Sequence, residues 1–397
     1  MEVVIDKVIK KNECCGCYGC FNVCPAKCIE MKKDEEGFVY PKVDYEKCIH
    51  CEMCIKVCPA LGERKYEKTA LKDPEVYASY TKDNEIRLDS TSGGIFTEVA
   101  KVFIKNNGIV YGAIYDENHK IIHYRGETKE DIDKIRQSKY AQSDIGGNYI
   151  SAKKDLIAGK KVLFVGTPCH IAALKRFLIK DYDNLYTMDF LCRGVNSPEA
   201  YKNYLESMKK IYNSNIKKVI FKNKTHGWHR FSTKLIFENG KEYVQDRYHD
   251  SYMRGYLEGC MFMRPSCHEC KYKDLPRYAD VTVGDFWGIE KVKPELDQDK
   301  GTSIYMINTP KGFEMFEEIK ENLIFSKMKL EDIYLGNKAL TVITTLTNKQ
   351  KKMREKFFER YQKENFVDLV EEILKPTLYE KVLRKAKDIV KKIIGRK

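Results

Sequence analysis

Short apolar runs separated by polar turns recur along the middle of the chain, and they predict a mixed α/β region. The segment EVYASY predicts a strand, residues 95–105 place apolar side chains on one helical face, and IVYGAIYD predicts a second strand. KVLFVG is typical of a buried parallel strand, and TPCH begins a helix behind it. NLYTMDFL predicts another strand, and residues 216–248 predict antiparallel strands with an Asn-Gly hairpin turn.

The pattern becomes helical toward the C-terminus. Pro376 precedes TLYEKVLRKAKDIVKKIIGRK, in which apolar residues recur at helical spacing and eight Lys and Arg outnumber two acidic residues. A basic amphipathic helix can lie on an anionic bilayer, which would make the protein peripheral at the inner face of a membrane. It can equally pack against its own domain or a dimer mate. The sequence predicts this tail and leaves both alternatives open.

The cysteines add chemistry to this picture, because ten of the 15 lie in one N-terminal stretch. ECCGCYGCFNVCP matches KCIHCEMCIKVCP after a shift of 34 residues, and each copy reads C-x2-C-x2-C-x3-C-P. Bacterial-type ferredoxins use this run, with three Cys on one [4Fe-4S] cubane and the fourth on the other. Zinc knuckles would give no reason for the third Cys or for the Pro. The spacing therefore predicts one cluster on Cys14, Cys17, Cys20 and Cys58, and a second on Cys48, Cys51, Cys54 and Cys24.

The other five cysteines lie between Cys169 and Cys270. Cys169 lies where a helix begins, Cys192 follows a strand, and Cys267 and Cys270 form a further C-x2-C. These four could close a third cubane, with Cys260 as a fifth candidate ligand. The C-x2-C pair could instead hold zinc, so the spacing leaves both metals open.

Composition and charge narrow the class of protein. The 397 residues carry a net charge of +13, which favours anionic partners, and no apolar stretch is long enough to cross a membrane. The beginning, MEVVIDK, lacks the features of a secretory signal, so we expect a cytoplasmic protein whose thiols stay reduced. Clustered Cys in that setting indicate metal ligands and not disulfides. We find no nucleic-acid-binding motif and predict no nucleic-acid partner.

Six further motifs follow one another along the chain: STSGGIF, SKYAQS, KVLFVGTPC, CRGVNSP, RPSCHEC and ADVTVGDFWG. In this order they resemble the family of coenzyme F-420 hydrogenase and dehydrogenase beta subunits, over residues 75–325. Residues 1–66 resemble a two-cluster ferredoxin, so the chain is similar to the bacterial type with a fused dicluster domain. Several members of that type are encoded beside polysaccharide-building enzymes, which makes a sugar-derived substrate in polysaccharide biosynthesis one hypothesis.

The resemblance implies a FAD site of non-Rossmann type and a [4Fe-4S] cluster on Cys169, Cys192, Cys267 and Cys270. The STSGG turn suits a phosphate at a helix N-terminus, although such turns also simply cap helices. The chain departs from the family at two positions, with His170 where Gln is usual and Arg193 where His is usual. The FAD-binding residues predicted from the motifs and from the glycine-flanked turn of the last one are Ser92, Gly93, Gly94, Ser138, Lys139, Tyr140, Gln142, Ser143, Thr167, Asp285 and Gly288.

These observations predict an α+β protein with a bacterial-type ferredoxin domain, a mixed α/β flavin-binding region and a helical C-terminal tail. We place the two-cluster domain at 1–66, the N-terminal flavin-binding part at 75–158, the part with the third cluster at 159–325 and the tail at 326–397. The predicted function is electron transfer between a ferredoxin-like or deazaflavin donor, three [4Fe-4S] clusters, FAD and a small-molecule substrate. The alternative is a non-catalytic electron-transfer subunit of a hydrogenase or dehydrogenase complex.

Overall fold

The computed structural model describes residues 4–62, 70–340 and 342–376. Within these residues no helix is both long enough and apolar enough to span a membrane. The basic helix predicted after Pro376 lies outside the described residues.

The N-terminal domain consists of five short elements. Strands β1 and β2 form an antiparallel pair in which Ile29 faces Val43. The two short helices that lie within the cysteine motifs pack against each other. The elements are α1 (Ile5–Val8), α2 (Gly19–Val23), β1 (Ile29–Lys33), β2 (Val39–Val43) and α3 (Met53–Val57).

The rest of the chain forms a large mixed sheet, a small sheet and the helices that cover them. The first elements are β3 (Glu75–Thr81), α4 (Asn84–Leu88), α5 (Ile95–Lys105), β4 (Ile109–Tyr115), β5 (Ile121–Gly126), α6 (Lys129–Ile135) and α7 (Asn148–Ile157). They are followed by β6 (Val162–Val165), α8 (Pro168–Leu178), β7 (Leu185–Phe190), α9 (Pro198–Tyr212), β8 (Ile216–Asn223), β9 (Ser232–Phe237), β10 (Glu242–Asp246), α10 (Ser251–Leu257) and a 3-10 turn at Pro265–Glu269.

The last part contains β11 (Val281–Asp285), α11 (Ile289–Val292), β12 (Ser303–Ile307), α12 (Pro310–Ile319), β13 (Leu323–Met328), α13 (Leu330–Tyr334), α14 (Asn348–Arg360) and α15 (Phe366–Leu374). Three more 3-10 turns lie at Pro294–Leu296, Lys320–Asn322 and Lys338–Leu340.

The large sheet has eight strands in the order β13-β3-β12-β11-β7-β6-β4-β5. Its centre is parallel, from β11 through β7 and β6 to β4, while β12 and the edge strands β13 and β5 run antiparallel to their neighbours. The apolar runs predicted as strands are β3, β4, β6 and β7, and the helix predicted over residues 95–105 is α5, so these predictions are confirmed. The large sheet contains strands from both predicted parts, 75–158 and 159–325, so these two parts form one structural unit.

The central strands are buried on both faces, which explains their continuous apolar runs. Leu163 of β6 faces a core built with α5 and α12, while its neighbours Val162 and Phe164 face the opposite core. That opposite core includes α7, α8 and buried residues of the ferredoxin domain such as Tyr18 and Val57. The ferredoxin domain therefore packs on the large sheet through a shared hydrophobic core.

The small antiparallel sheet, in the order β10-β9-β8, confirms the predicted hairpin. It packs with α9, α10, α14 and α15 in an aromatic-rich core. Phe366 is fully buried there and contacts the rings of Tyr204, Tyr252 and Phe262. The first part of the predicted C-terminal tail is thus a packed part of the fold.

Candidate functional site

The two copies of the cysteine motif fold alike. Helices α2 and α3 begin 34 positions apart, at Gly19 and Met53, and each follows a residue in the left-handed conformation, Tyr18 (φ 64°) and Glu52 (φ 58°). The repeat recognised in the sequence is therefore a structural repeat as well.

Each copy contributes to two cysteine-lined cavities. Five cysteines line each cavity. Four of them, three from one copy and one from the other, are the set that the ferredoxin spacing predicts, and the fifth is Cys15 in the inner cavity and Cys28 in the outer one. Four thiols around one cavity are the donor set that a [4Fe-4S] cluster requires. The inner quartet consists of Cys14, Cys17, Cys20 and Cys58. The outer quartet consists of Cys24, Cys48, Cys51 and Cys54.

Backbone amides donate to these sulfurs, as is usual around iron–sulfur clusters. Phe21 N–H donates to Cys20, and the amides of Ala60 and Leu61 donate to Cys58. Burial raises the pKa of Cys58 to about 12, so the thiol keeps its proton at neutral pH until a metal displaces it.

The quartets differ in their exposure to solvent. Cys14, Cys17 and Cys20 are buried, whereas Cys51 is exposed and its neighbour Ile49 is 63% exposed. The inner quartet faces the rest of the protein, and the outer quartet lies at the surface.

A third group of cysteines converges at the ends of strands and helices of the large sheet. Cys169 lies in the first turn of α8, Cys192 follows β7, and Cys267 and Cys270 lie in and just after the 3-10 turn at Pro265–Glu269. Their thiols interact electrostatically, Cys192 with Cys270, Cys267 with both, and Cys169 with Cys270. We call Cys169, Cys192, Cys267 and Cys270 the C-terminal quartet.

The donor set of the C-terminal quartet also fits a cluster. Val195 N–H lies 3.4 Å from Cys267 Sγ and donates to it. Burial raises the pKa of Cys192 to about 11 and that of Cys267 to about 12, so metal binding would have to displace both protons. Cys260, the fifth candidate, instead accepts from Arg193, at 3.6 Å.

Cys15 connects the inner and C-terminal quartets. Cys15 is buried, and its thiol lies in hydrogen-bonding contact with the thiols of Cys169 and Cys17. The contact with Cys169 is the main reason why the pKa of Cys15 lies well below its usual range. The two quartets are therefore neighbours across a single side chain.

A second centre surrounds Asp285 at the end of β11. Lys222 Nζ donates to Asp285 Oδ2 at 3.0 Å, and Trp228 Nε1 donates to Oδ1 at 2.7 Å. Lys222 is 1% exposed, and its ammonium lies 4.7 Å from the ring centre of Trp287, which stacks on Trp228. Arg247 also lies over the Trp287 ring. We call Lys222, Trp228, Arg247, Asp285 and Trp287 the Asp285 cluster.

Several residues predicted to bind FAD meet at this cluster. Gly93 N–H donates to Ser303 Oγ at 2.8 Å, and Ser303 is the strand partner of Asp285. Ser138 N–H donates to Thr91 Oγ1 at 2.8 Å, one residue before Ser92. Tyr140 interacts electrostatically with Asp285, and Gly94 (φ 87°) caps α5 in the same loop. The structure thus brings together Ser92, Gly93, Gly94, Ser138, Tyr140 and Asp285.

The other predicted residues have different partners. Lys139 Nζ donates to carbonyl oxygens of residues 134–137 at the end of α6. Ser143 Oγ lies 2.9 Å from His123 Nδ1, Thr167 Oγ1 lies 3.1 Å from Cys169 Sγ, and Gly288 lies against the turn at residues 335–336. Gln142 Nε2 donates to the carbonyls of residues 15 and 16, at 3.0 and 3.2 Å. Thr167 and Gln142 therefore lie beside the cysteines.

The two positions that depart from the family pattern flank the C-terminal quartet. His170 is 2% exposed, its ring packs against His123, and burial lowers its pKa well below the usual range. Arg193 donates to the carbonyl of Leu257 at 3.0 Å and lies over the ring of Tyr256.

An aromatic pair lies between the C-terminal quartet and the Asp285 cluster. Tyr256 interacts electrostatically with Cys192, and its ring centre lies 5.8 Å from that of Tyr140. Tyr140 in turn faces Asp285. The two centres are thus connected through packed side chains.

Lys222, Trp228 and Arg247 were not among the residues predicted from the sequence. Lys222 directly follows the apolar run VIF in β8. This position in a buried strand is the one sequence signal that could have indicated a buried cation. Buried polar atoms in this region, Arg247 Nε, Arg87 Nη2 and Ser90 Oγ, have no hydrogen-bond partner in the described part of the chain. Cationic and hydroxyl donors of this kind fit an anionic cofactor such as FAD.

Comparison with known proteins agrees with this architecture. Residues 13–61 match the 4Fe-4S dicluster domain, and residues 159–333 match the C terminus of the coenzyme F420 hydrogenase/dehydrogenase beta subunit. The coenzyme F420-dependent sulfite reductase of Methanocaldococcus jannaschii is 27% identical over 350 residues, which cover 84% of this chain and 49% of that protein. The chain therefore spans about half the length of this relative.

Two further similarities concern a part of the chain and its fold. A polyferredoxin-like protein of the same organism is 42% identical over 68 residues, covering 15% of this chain and 40% of that protein. A chain of the F420-reducing [NiFe] hydrogenase complex from Methanosarcina barkeri is 18% identical with a TM-score of 0.47, covering 76% of this chain and 94% of that one. The chain thus carries a 4Fe-4S dicluster domain at residues 13–61, and its residues 159–333 are similar to the C terminus of coenzyme F420 hydrogenase/dehydrogenase beta subunits.

Proposed function

We propose that the chain is an iron–sulfur flavoprotein oxidoreductase that exchanges electrons between a ferredoxin-like or deazaflavin donor and a small-molecule substrate. The observation that carries the proposal is a continuous order of groups through the fold. The outer quartet lies at the surface, the inner quartet follows, Cys15 leads to the C-terminal quartet, and Tyr256 and Tyr140 lead to the Asp285 cluster. Such an order suits the transfer of electrons from the surface to a buried site.

The twelve cysteines of the three quartets would hold [4Fe-4S] clusters, and the Asp285 cluster with the loop around Gly93 would hold FAD. When bound, the clusters supply one-electron transfer and the flavin exchanges two electrons with an organic substrate. The chain itself supplies the thiolates, the amide donors to their sulfurs, and the buried surroundings that exclude water.

The fit to FAD rests on donors that lack partners. Arg247 Nε, Arg87 Nη2 and Ser90 Oγ are buried and free of hydrogen bonds in the described residues, and all three are donors. Lys222 adds a buried ammonium whose pKa is lowered by burial, while Asp285 holds it in place. A phosphate or an anionic ring would satisfy these donors, and Trp287 offers a flat surface beside them.

The same cations favour an acidic substrate. A sugar phosphate would meet this requirement, and a sugar-derived substrate in polysaccharide biosynthesis remains our prediction. An electron-donor protein would approach at the outer quartet, because Cys51 and Ile49 are exposed there.

Anaerobic purification with iron, sulfide and flavin analysis tests the proposal. We expect about twelve iron atoms and one FAD per chain. Lys222→Met should lower the FAD content without lowering the iron content, because Lys222 contacts no cysteine quartet in the described residues. As a matched control, Lys209→Met removes a lysine that pairs with Glu206 on the surface of α9, and should leave both contents unchanged.

Two results would contradict the proposal. Eight iron atoms and no flavin would leave a non-catalytic electron carrier. Zinc in the C-terminal quartet would remove the link between the ferredoxin domain and the Asp285 cluster.

A further inference from the structure

We propose that Arg264 is a positioning residue that joins the inner quartet to the C-terminal quartet and raises the reduction potential of at least one of the two clusters beside it. The inference rests on the proposed function, since it requires that both quartets hold clusters. It concerns a residue that neither the ferredoxin spacing nor the cysteine motifs single out.

Arg264 contacts both the C-terminal quartet and the inner quartet. Its backbone carbonyl accepts from Cys267 N–H at 3.0 Å, in the turn that carries two ligands of the C-terminal quartet. Its side chain reaches the other way, where Nε donates to the carbonyl of Cys14 at 2.8 Å and Nη2 donates to the carbonyl of Val39 at 2.9 Å. One side chain thus connects residues that lie 250 positions apart in the sequence.

Gln142 completes this contact. Its Oε1 accepts from Arg264 Nη1 at 2.7 Å, and its Nε2 donates to the carbonyls of Cys15 and Gly16. Three consecutive carbonyls of the inner cysteine loop are therefore held by two side chains from the other part of the protein.

The burial of Arg264 indicates that its charge has a partner. The side chain is fully buried, and it stacks on Tyr40 with 4.5 Å from the guanidinium carbon to the ring centre. No carboxylate pairs with it in the described residues, although a buried charge without a partner is strongly unfavourable. The acidic groups that interact with its charge are the thiols of Cys14, Cys15 and Cys267 and the hydroxyl of Tyr40, and burial raises the pKa of Tyr40. Clusters on these two quartets would supply the counter-charge.

The internal repeat shows that the inner copy is adapted to this contact. Gly16 (φ 62°) and His50 (φ 52°) occupy equivalent positions, and both are left-handed. A Cβ at Gly16 would lie 2.7 Å from Arg264 Nη1 and 2.7 Å from Gln142 Nε2, so that position has no room for a side chain. His50, at the equivalent position of the outer copy, is exposed. The glycine is therefore explained by the approach of Arg264 and Gln142.

The expected change in midpoint potential follows from the positive charge of Arg264. Each cluster that accepts one electron from an external reductant gains one negative charge, and a fixed positive charge nearby stabilises that reduced form. Loss of the charge should therefore lower the midpoint potential of the inner or C-terminal cluster, or of both. The outer cluster lies away from Arg264 and should keep its potential.

The experiment compares Arg264→Gln with Arg264→Lys in the full-length, anaerobically purified protein. Both variants lose the guanidinium geometry, but only Arg264→Gln loses the charge. We expect an EPR-monitored redox titration to show at least a tenfold shift in the reduction equilibrium of one cluster in Arg264→Gln, which is about 59 mV for one electron. Arg264→Lys should shift it less. Arg360→Gln, which removes an exposed arginine paired with Glu364 and Glu372, should change nothing.

Equal midpoint potentials in Arg264→Gln and Arg264→Lys, at full iron content, would overturn the proposal, and so would an equal shift of all three clusters. If both variants lose iron, Gly16→Ala repeats the test, because the added Cβ pushes the guanidinium of Arg264 away while the arginine itself is retained. An unchanged potential in Gly16→Ala would then overturn the proposal. Wild-type protein without clusters would instead refute the proposed function, so the two failures are distinguishable.

Discussion

The buried ion pair between Arg277 and Asp189 should control how firmly the C-terminal quartet is held. Arg277 is 3% and Asp189 0% exposed, and Nη2 donates to Asp189 Oδ2 at 2.9 Å. Asp189 lies three residues before Cys192, and Arg277 also donates to the carbonyls of residues 272 and 273, just after Cys270. The pair therefore ties the strand that leads to one ligand to the loop that follows another.

Arg277→Met should destabilise this region by about 3–5 kcal/mol, which is the usual cost of leaving one partner of a buried pair without the other. The carboxyl of Asp189 is already difficult to ionise, because burial raises its pKa. A loss of this size corresponds to on the order of a hundredfold to a thousandfold more frequent local opening, since about 1.4 kcal/mol is tenfold.

Native-state hydrogen exchange is the suitable measurement, because a chain with several cores is not expected to unfold in one step. Amides of β7 and of the loop at 270–277 should exchange faster in Arg277→Met, and iron should be lost faster to a chelator. Replacing both partners, as Asp189→Leu with Arg277→Met, should recover most of the loss, because it leaves no unpaired charge. A single variant as protected as wild type, or a double variant as unstable as the single, would refute the reasoning.

Three further predictions concern other parts of the molecule. Cys58→Ser should give the same reduced EPR spectrum as Cys17→Ser and a different one from Cys51→Ser, because Cys58 and Cys17 belong to the inner quartet and Cys51 to the outer. A match to Cys51→Ser would exclude the assignment of Cys58 to the inner quartet. Burial lowers the pKa of His123 to about 4, so between about pH 6.5 and about pH 4 mainly the unfolded form takes up a proton. Over that range the free energy of unfolding of the wild type should fall by roughly 3 kcal/mol relative to that of His123→Gln, measured by parallel thermal melts. Phe366→Ala should cost about 3–5 kcal/mol in chemical denaturation and Phe366→Leu less than about 1.5, and equal losses would exclude a packing origin.

Local pattern was sufficient to predict the elements that carry the site. The continuous apolar runs became central strands because both faces of the large sheet are covered, and α5 begins and ends where its helical stripe does. The three-and-one division of the ferredoxin cysteines follows from spacing, and the structure brings each predicted set to one cavity, together with Cys28 or Cys15.

Contacts between distant segments could not be read from the sequence. Gln142 was assigned to FAD because it lies in one of the motifs, and the structure shows that its amide holds the inner cysteine loop at residues 15 and 16, which are 127 and 126 positions away. Arg264 looks like an ordinary surface residue until the ferredoxin domain covers it. Lys222 is buried only because the small sheet packs against the end of β11. These roles depend on how segments far apart in the chain meet.

The shared core favours a ferredoxin domain that works as a fixed part of one protein and not as a detachable carrier. Tyr18 and Val57 belong to the same buried cluster as Phe164 of the large sheet, and Arg264 fixes the inner loop from the other side. This packing leaves the outer quartet as the exposed end of the described structure, at Ile49 and its neighbours. An external protein would therefore exchange electrons there, while the route inward is set by packing. Substitutions at the exposed end should then alter the affinity for a donor protein, and substitutions at the junction should alter the potentials.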